Sequence, residues 1–229
     1  GTFDGVTGIS YEYAKHLGGY ANCRELQLVN GAEVTVPGYF YMGQASGASW
    51  RPTENLTLSV GEGCAFTVDK QFNCAGTNNT LIVENGLVEA NYTYPFYFGH
   101  YATVDGVRHD SANCHVIFRG SSPRIRCMNE DYDIGKCGIS ISASTIRFEM
   151  DYTEAYSEPV LMCVGDCYIS ADCEVELAGV EDTRDVLGGE MEIPLAESIA
   201  GEVIFLDGDG LAELNNSLPD GCEVYYGEG

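Results

Sequence analysis

Ten cysteines, four histidines and 35 acidic side chains are the groups in this chain able to do chemistry, and their spacing decides which chemistry. A zinc site needs paired soft ligands in spacings such as C-x-x-C or H-x-x-x-H. Cys23, Cys64, Cys74, Cys114, Cys127, Cys137, Cys163, Cys167, Cys173 and Cys222 contain no C-x-x-C pair, and His16, His100, His109 and His115 complete no ligand set with them, although Cys114 and His115 are adjacent. Oxidation to disulfides is then the expected use of an even, high cysteine count. Two local bridges are predicted, Cys64–Cys74 and Cys127–Cys137, each clipping a hairpin; spacing leaves the other six cysteines unassigned.

Oxygen ligands are plentiful, so calcium is the one cofactor for which candidate loops exist. Asp207 and Asp209 sit two apart on a glycine-rich turn with Glu213 nearby, and Asp131 and Asp133 cluster before Gly135. The first loop departs from the EF-hand pattern, because Leu211 occupies the fifth loop position and Leu218 stands where the bidentate glutamate belongs. A solvated acidic turn accounts for both, and the expectation is no required cofactor.

Hydrolytic chemistry has no clear carrier. Gly43-Gln44-Ala45-Ser46-Gly47 has its serine one place too late for a nucleophile elbow, and His100 and His109 merely flank a turn at Asp105-Gly106. No glycine-rich phosphate loop opens a helix. The chain is therefore not expected to be an enzyme.

Aromatic residues form the last constellation. Fifteen Tyr, nine Phe and Trp50 include the runs Tyr39-Phe40-Tyr41 and Tyr92-Thr93-Tyr94-Pro95-Phe96-Tyr97-Phe98. Exposed on a sheet, such tyrosines make a sugar-stacking or protein-docking face; buried, they are core.

The elements that must position these groups are strands. Leu56, Leu58 and Val60 share one face of an alternating run, as do Ile146, Phe148 and Met150. Similar short runs recur along the chain, punctuated by Asn30-Gly31, Asn85-Gly86 and Asp105-Gly106, dipeptides that favour hairpins. Helical periodicity is confined to Tyr11 to Leu17, Ala196 to Ala200 and Leu211 to Leu218, and the first of these also reads as extended. The expected fold is all-β: a disulfide-stapled β-sandwich, jelly-roll or immunoglobulin-like, with few short helices. No fixed-period repeat is visible. Residues 1–14 read as an extended N-terminal segment able to act as a donor strand, and 15–229 as one β-rich domain, subdivided if at all near 151–159.

A formal charge of −24 disfavours nucleic acid and anionic lipid surfaces. No uninterrupted apolar stretch is long enough for a membrane helix. Gly1 with no leader pattern behind it reads as a processed product, and sequons at Asn55, Asn78, Asn91 and Asn215 suit an exported chain, so an extracellular or cell-surface location is expected. The functional expectation is a secreted structural protein, a subunit of a surface assembly or filament joined by strand addition, with Phe3, Val6, Ile9, Tyr11 and Tyr13 filling a neighbour's groove. Its principal partner would be itself. The alternative is an adhesion module that binds carbohydrate or a surface receptor; the second alternative is a secreted hydrolase.

Overall fold

The computed structural model describes residues 1–10, 16–17, 24–42, 54–74, 76–99, 101–104, 107–129, 131, 137–141, 146–151, 158–169, 173–178 and 195–205, with 216, 218, 223 and 225 as single positions. Short strands follow one another in triplets. The first is β1 (Thr2–Asp4), β2 (Ile9–Ser10) and β3 (His16–Leu17); the second is β4 (Glu25–Val29), β5 (Glu33–Val36) and β6 (Phe40–Met42). Next come β7 (Thr57–Val60), β8 (Ala65–Val68) and β9 (Phe72–Cys74), then β10 (Thr80–Glu84), β11 (Leu87–Ala90) and β12 (Phe96–Phe98). A hairpin intervenes, β13 (Tyr101–Val104) with β14 (Val107–Asp110). The remaining triplets are β15 (Cys114–Arg119), β16 (Arg124–Cys127) and β17 (Ile139–Ile141); β18 (Ile146–Asp151), β19 (Leu161–Cys163) and β20 (Cys167–Ile169); and β21 (Cys173–Ala178), β22 (Ala196–Ser198) and β23 (Val203–Phe205).

Each strand of a triplet pairs, in parallel, with its counterpart one triplet earlier and one later. The result is three seven-stranded sheets, β1-β4-β7-β10-β15-β18-β21, β2-β5-β8-β11-β16-β19-β22 and β3-β6-β9-β12-β17-β20-β23. A chain that visits three sheets in turn and then repeats one strand further along is a parallel β-solenoid, and each triplet is one rung of it. Among the described strands only β13 and β14 pair antiparallel, as a hairpin inserted after the fourth rung.

The core is built from stacked columns. Leu26, Leu58, Leu81, Val116 and Phe148 lie in register down the first sheet, and Val34, Phe66, Val88, Ile125 and Leu161 down the second. All are essentially inaccessible to solvent. The third sheet contributes phenylalanines: Phe72 stacks on Phe96 with ring centroids 4.3 Å apart, and Phe40 meets both Phe66 and Phe72. Burying such a side chain contributes about 1.5–3 kcal/mol, so these columns dominate cohesion.

The corners explain why the expected sandwich does not form. Asn30 (φ 56°) and Gly31 (φ 74°) take left-handed conformations suited to a tight turn, as Asn85 (φ 47°) does. These turns swing the chain from the first sheet to the second instead of reversing it onto a neighbouring strand. Corners also stack closely: a Cβ on Gly86 would lie 2.7 Å from the Gly61 carbonyl oxygen. The antiparallel jelly-roll or immunoglobulin-like arrangement is therefore replaced by parallel sheets with one wet face each. Ala196 to Ala200, expected as helical, contains strand β22, because Leu161, Met162 and Cys163 offer it a parallel edge. Of the Tyr11 to Leu17 segment, His16–Leu17 is strand; the rest, like most of Leu211 to Leu218, lies outside the described residues.

The expected disulfide staples are also absent among the described residues. Cys64, Cys74, Cys114, Cys127, Cys137, Cys163 and Cys167 are free thiols, all buried. Cys64 immediately precedes the second-sheet strand β8 while Cys74 ends β9 in the third sheet, so the two do not face each other across a hairpin. Cys127 and Cys137 come nearer, with sulfurs 3.7 Å apart, a contact between thiols and not a bond. Cys23 and Cys222, and the side chain of Cys173, lie outside the described residues.

Candidate functional site

The alternation of the third sheet sorts its aromatics by chemistry. Phe40, Phe72, Phe96 and Phe98 point inward and are fully buried, whereas Tyr41 and Tyr97, one residue out of phase, lie on the outer face. Between them in register sits Asn73. The adjoining corner carries Tyr39, Tyr92 and Tyr94.

These side chains touch. Tyr39 stacks on Tyr41 with centroids 6.0 Å apart and planes 10° apart, and meets Tyr92 edge-on at 5.9 Å. Tyr92 and Tyr94 are 5.3 Å apart, and Tyr94 is half exposed. Lys70, on the corner of the intervening rung, holds its ammonium 5.1 Å from the centre of the Tyr39 ring, a cation–π contact. Four tyrosines from rungs two and four and one lysine from rung three thus form a continuous patch, with Tyr97 on the same outer face.

Its electrostatics follow from packing. Burial, then the neighbouring Tyr39, pushes the Tyr41 phenol above its ordinary pKa; burial, then Tyr94, does the same for Tyr97. A hydrogen bond with Tyr39 raises Tyr92, against the pull of the Lys70 charge in the other direction. All remain neutral hydroxyls at pH 7, able to donate and accept. Asn73, in register between Tyr41 and Tyr97, is 2 % exposed, and its Oδ1 is buried with no hydrogen-bond partner.

Two further clusters lie on other faces. His115 Nε2 is 3.3 Å from Glu149 Oε2 on the outer side of the first sheet, with both side chains partly buried. Burial accordingly outweighs the carboxylate and lowers the imidazole pKa, with Arg147 adding to the fall. On the second sheet, Glu158 reaches Arg126 at 2.7 Å and Arg124 at 3.6 Å, a surface ion-pair group. Neither cluster brings together a nucleophile and a base.

The other residues singled out from sequence scatter. Phe3 and Val6 are half-buried against the core, with Phe3 paired in β1 to Leu28, and Ile9 pairs in β2 with Val34. Residues 1–10 thus contribute to the first rung; Tyr11 and Tyr13 lie outside the described residues. Asn55 and Asn78 are exposed corner residues with φ of 60° and 55°. Asn91 is half-buried and donates to Glu89 at 2.8 Å, and Asn215 is not described. Asp131 is exposed, its N–H donating to Asn129 Oδ1; Asp133, Asp207, Asp209 and Glu213 lie outside the described residues. Among the described residues no group of three or more His, Cys, Asp or Glu is gathered to hold a metal ion, and no helix is long and apolar enough to cross a membrane.

Sequence reasoning found both tyrosine runs but not Lys70 or Asn73. The signal for Lys70 exists only across rungs, since parallel stacking alone brings it between Tyr39 and Tyr92. The class defined by fold and patch is a parallel β-solenoid with an aromatic outer corner. No family model, curated protein or solved structure matches the chain.

Proposed function

We propose that this chain is a recognition module that binds saccharides on the outer corner formed by Tyr39, Tyr41, Tyr92, Tyr94 and Tyr97. The observation that carries this reading is the outward placement of those rings, with Tyr41, Tyr39, Tyr92 and Tyr94 joined by successive ring contacts, while every phenylalanine of the same strands is buried. Electron-rich ring faces suit the C–H faces of pyranoses, and neutral tyrosine hydroxyls suit sugar hydroxyls. Successive rungs are roughly 4.8 Å apart, about the length of one sugar unit, so tyrosines two rungs apart match every second unit of an oligosaccharide.

An extracellular or surface location belongs to the proposal, because polymeric saccharides are accessible there and the exposed sequons Asn55 and Asn78 suit it. With seven described thiols unbonded, the cysteine count no longer supports it.

Screening on a glycan array, followed by titration of the best ligand into wild type and the Tyr39→Ala/Tyr92→Ala double variant, tests the reading. At about 1 kcal/mol per stacked ring, the variant should bind about 10- to 30-fold more weakly. No binding by wild type, or equal binding by the variant, contradicts it.

Self-association through strand addition is the second reading. The observation favouring it is that β1 is paired on one edge only, to β4, among the described strands. Concentration-dependent mass by light scattering, with Phe3→Asp as the variant, tests it; assembly unchanged by the substitution counts against it.

A further inference from the structure

Among the described residues Lys70 is the one cation in the tyrosine patch, and its neighbours are chemically unusual for this chain. Acidic residues outnumber basic ones 35 to 11, yet no described carboxylate forms an ion pair with Lys70. Arg124 and Arg126 share Glu158, and His115 has Glu149 within reach. Lys70 is exposed and rests over the ring of Tyr39, which meets Tyr92 edge-on, and its charge acts on the Tyr92 phenol as well. A ring face stabilises an ammonium without neutralising it, so the charge remains available to a ligand.

Resting on the saccharide reading, we infer that the patch selects sugars bearing a carboxylate, uronic acids as a class, with Lys70 as counter-ion. The pyranose ring stacks on Tyr92 or Tyr94, and its carboxylate accepts from the Lys70 ammonium. The geometry suits this division of labour, because Lys70 lies on the rung between the tyrosines and not beyond them. The charge of the whole chain opposes any anion, which favours short oligosaccharides over extended polyanions. At about 0.15 M ionic strength that field is screened beyond roughly 8 Å, whereas a contact pair is affected less.

The experiment compares cellobiouronic acid with cellobiose, which differ by a carboxylate in place of a hydroxymethyl group, by ligand-observed NMR titration at physiological ionic strength. Wild type should bind the acid about 2- to 5-fold more tightly, the span of an exposed ion pair. Lys70→Met should remove that preference and Lys70→Arg restore it, with melting temperatures confirming that both variants fold. Equal affinity of wild type for the two sugars, a preference for cellobiose, or a preference that persists in Lys70→Met overturns the inference and leaves the saccharide reading standing. Binding of neither these nor any arrayed glycan overturns both. Tight binding of inorganic sulfate or phosphate at the same site, unaffected by Tyr92→Ala, also overturns it, because the lysine would then be reading charge without a sugar ring.

Discussion

The sulfurs of Cys127 and Cys137 lie 3.7 Å apart in the closed interior at the end of β16, touching without bonding. Their hydrogen bond splits their acidity: it raises Cys127 well above the ordinary thiol range, with burial adding, and lowers Cys137 to about 7 against burial. The backbone N–H of Asn129, 3.0 Å from the Cys137 sulfur, also favours the thiolate there. Protein purified without reductant, then denatured and alkylated, should show at least seven modified cysteines by mass. Fewer than seven would mean that some described thiols are bridged after all.

Stability should depend on pH through His115. Its folded pKa is depressed below about 6.5, chiefly by burial, so folding prefers the neutral imidazole. The contribution is complete above about pH 6.5 and is lost as pH falls through the folded value. Melting temperature of wild type should drop more between pH 7 and pH 5 than that of His115→Gln. Parallel curves for the two proteins would remove this role.

Asn79 ties three rungs together from inside a corner. Its Oδ1 accepts from the Leu56 backbone N–H at 2.9 Å and its Nδ2 donates to the Met42 carbonyl at 3.3 Å, with the side chain fully buried. Asn79→Ala strands both backbone groups, at about 1–3 kcal/mol each. The melting temperature should fall by on the order of 5–10 °C for a chain of this size. Ser59→Ala, on the outer face, should shift it by less than about 2 °C.

Corner glycines should divide by the space above them. A Cβ on Gly138 would lie 2.1 Å from the backbone oxygen of Asp166, one rung on, while one on Gly38 meets nothing within 4 Å. Gly138→Ala is expected to cost about 1–3 kcal/mol by forcing rungs apart, and Gly38→Ala to be neutral or slightly stabilising. Urea denaturation of the pair checks this; equal midpoints would mean that the rungs are not stacked at that corner.

The strands were legible in the sequence because one wet face and one dry face impose period two, as Leu56, Leu58 and Val60 display. Their partners were not. Period two is the usual mark of antiparallel sheets with one solvated face, whereas parallel sheets are mostly covered on both. A solenoid breaks that association by wrapping parallel sheets around a single interior. The repeat was hidden by the third corner, whose length changes from Met42 to Thr57, from Cys74 to Thr80, and again where the β13–β14 hairpin intrudes. The cysteines misled for a related reason: an even count suggests pairing, but Cys74, Cys127, Cys163 and Cys167 are here small apolar members of inward columns. The tyrosine patch was half legible, in that Tyr39-Phe40-Tyr41 alternates visibly, while its meeting with Tyr92 across rungs needed the fold.

Cross-strand contacts measured by NMR test the parallel rung stack most directly. Backbone cross-peaks of parallel pairing should link Leu58 to Leu81, Leu81 to Val116 and Val116 to Phe148. Antiparallel cross-peaks between strands adjacent in sequence, such as β4 with β5 or β7 with β8, would contradict it.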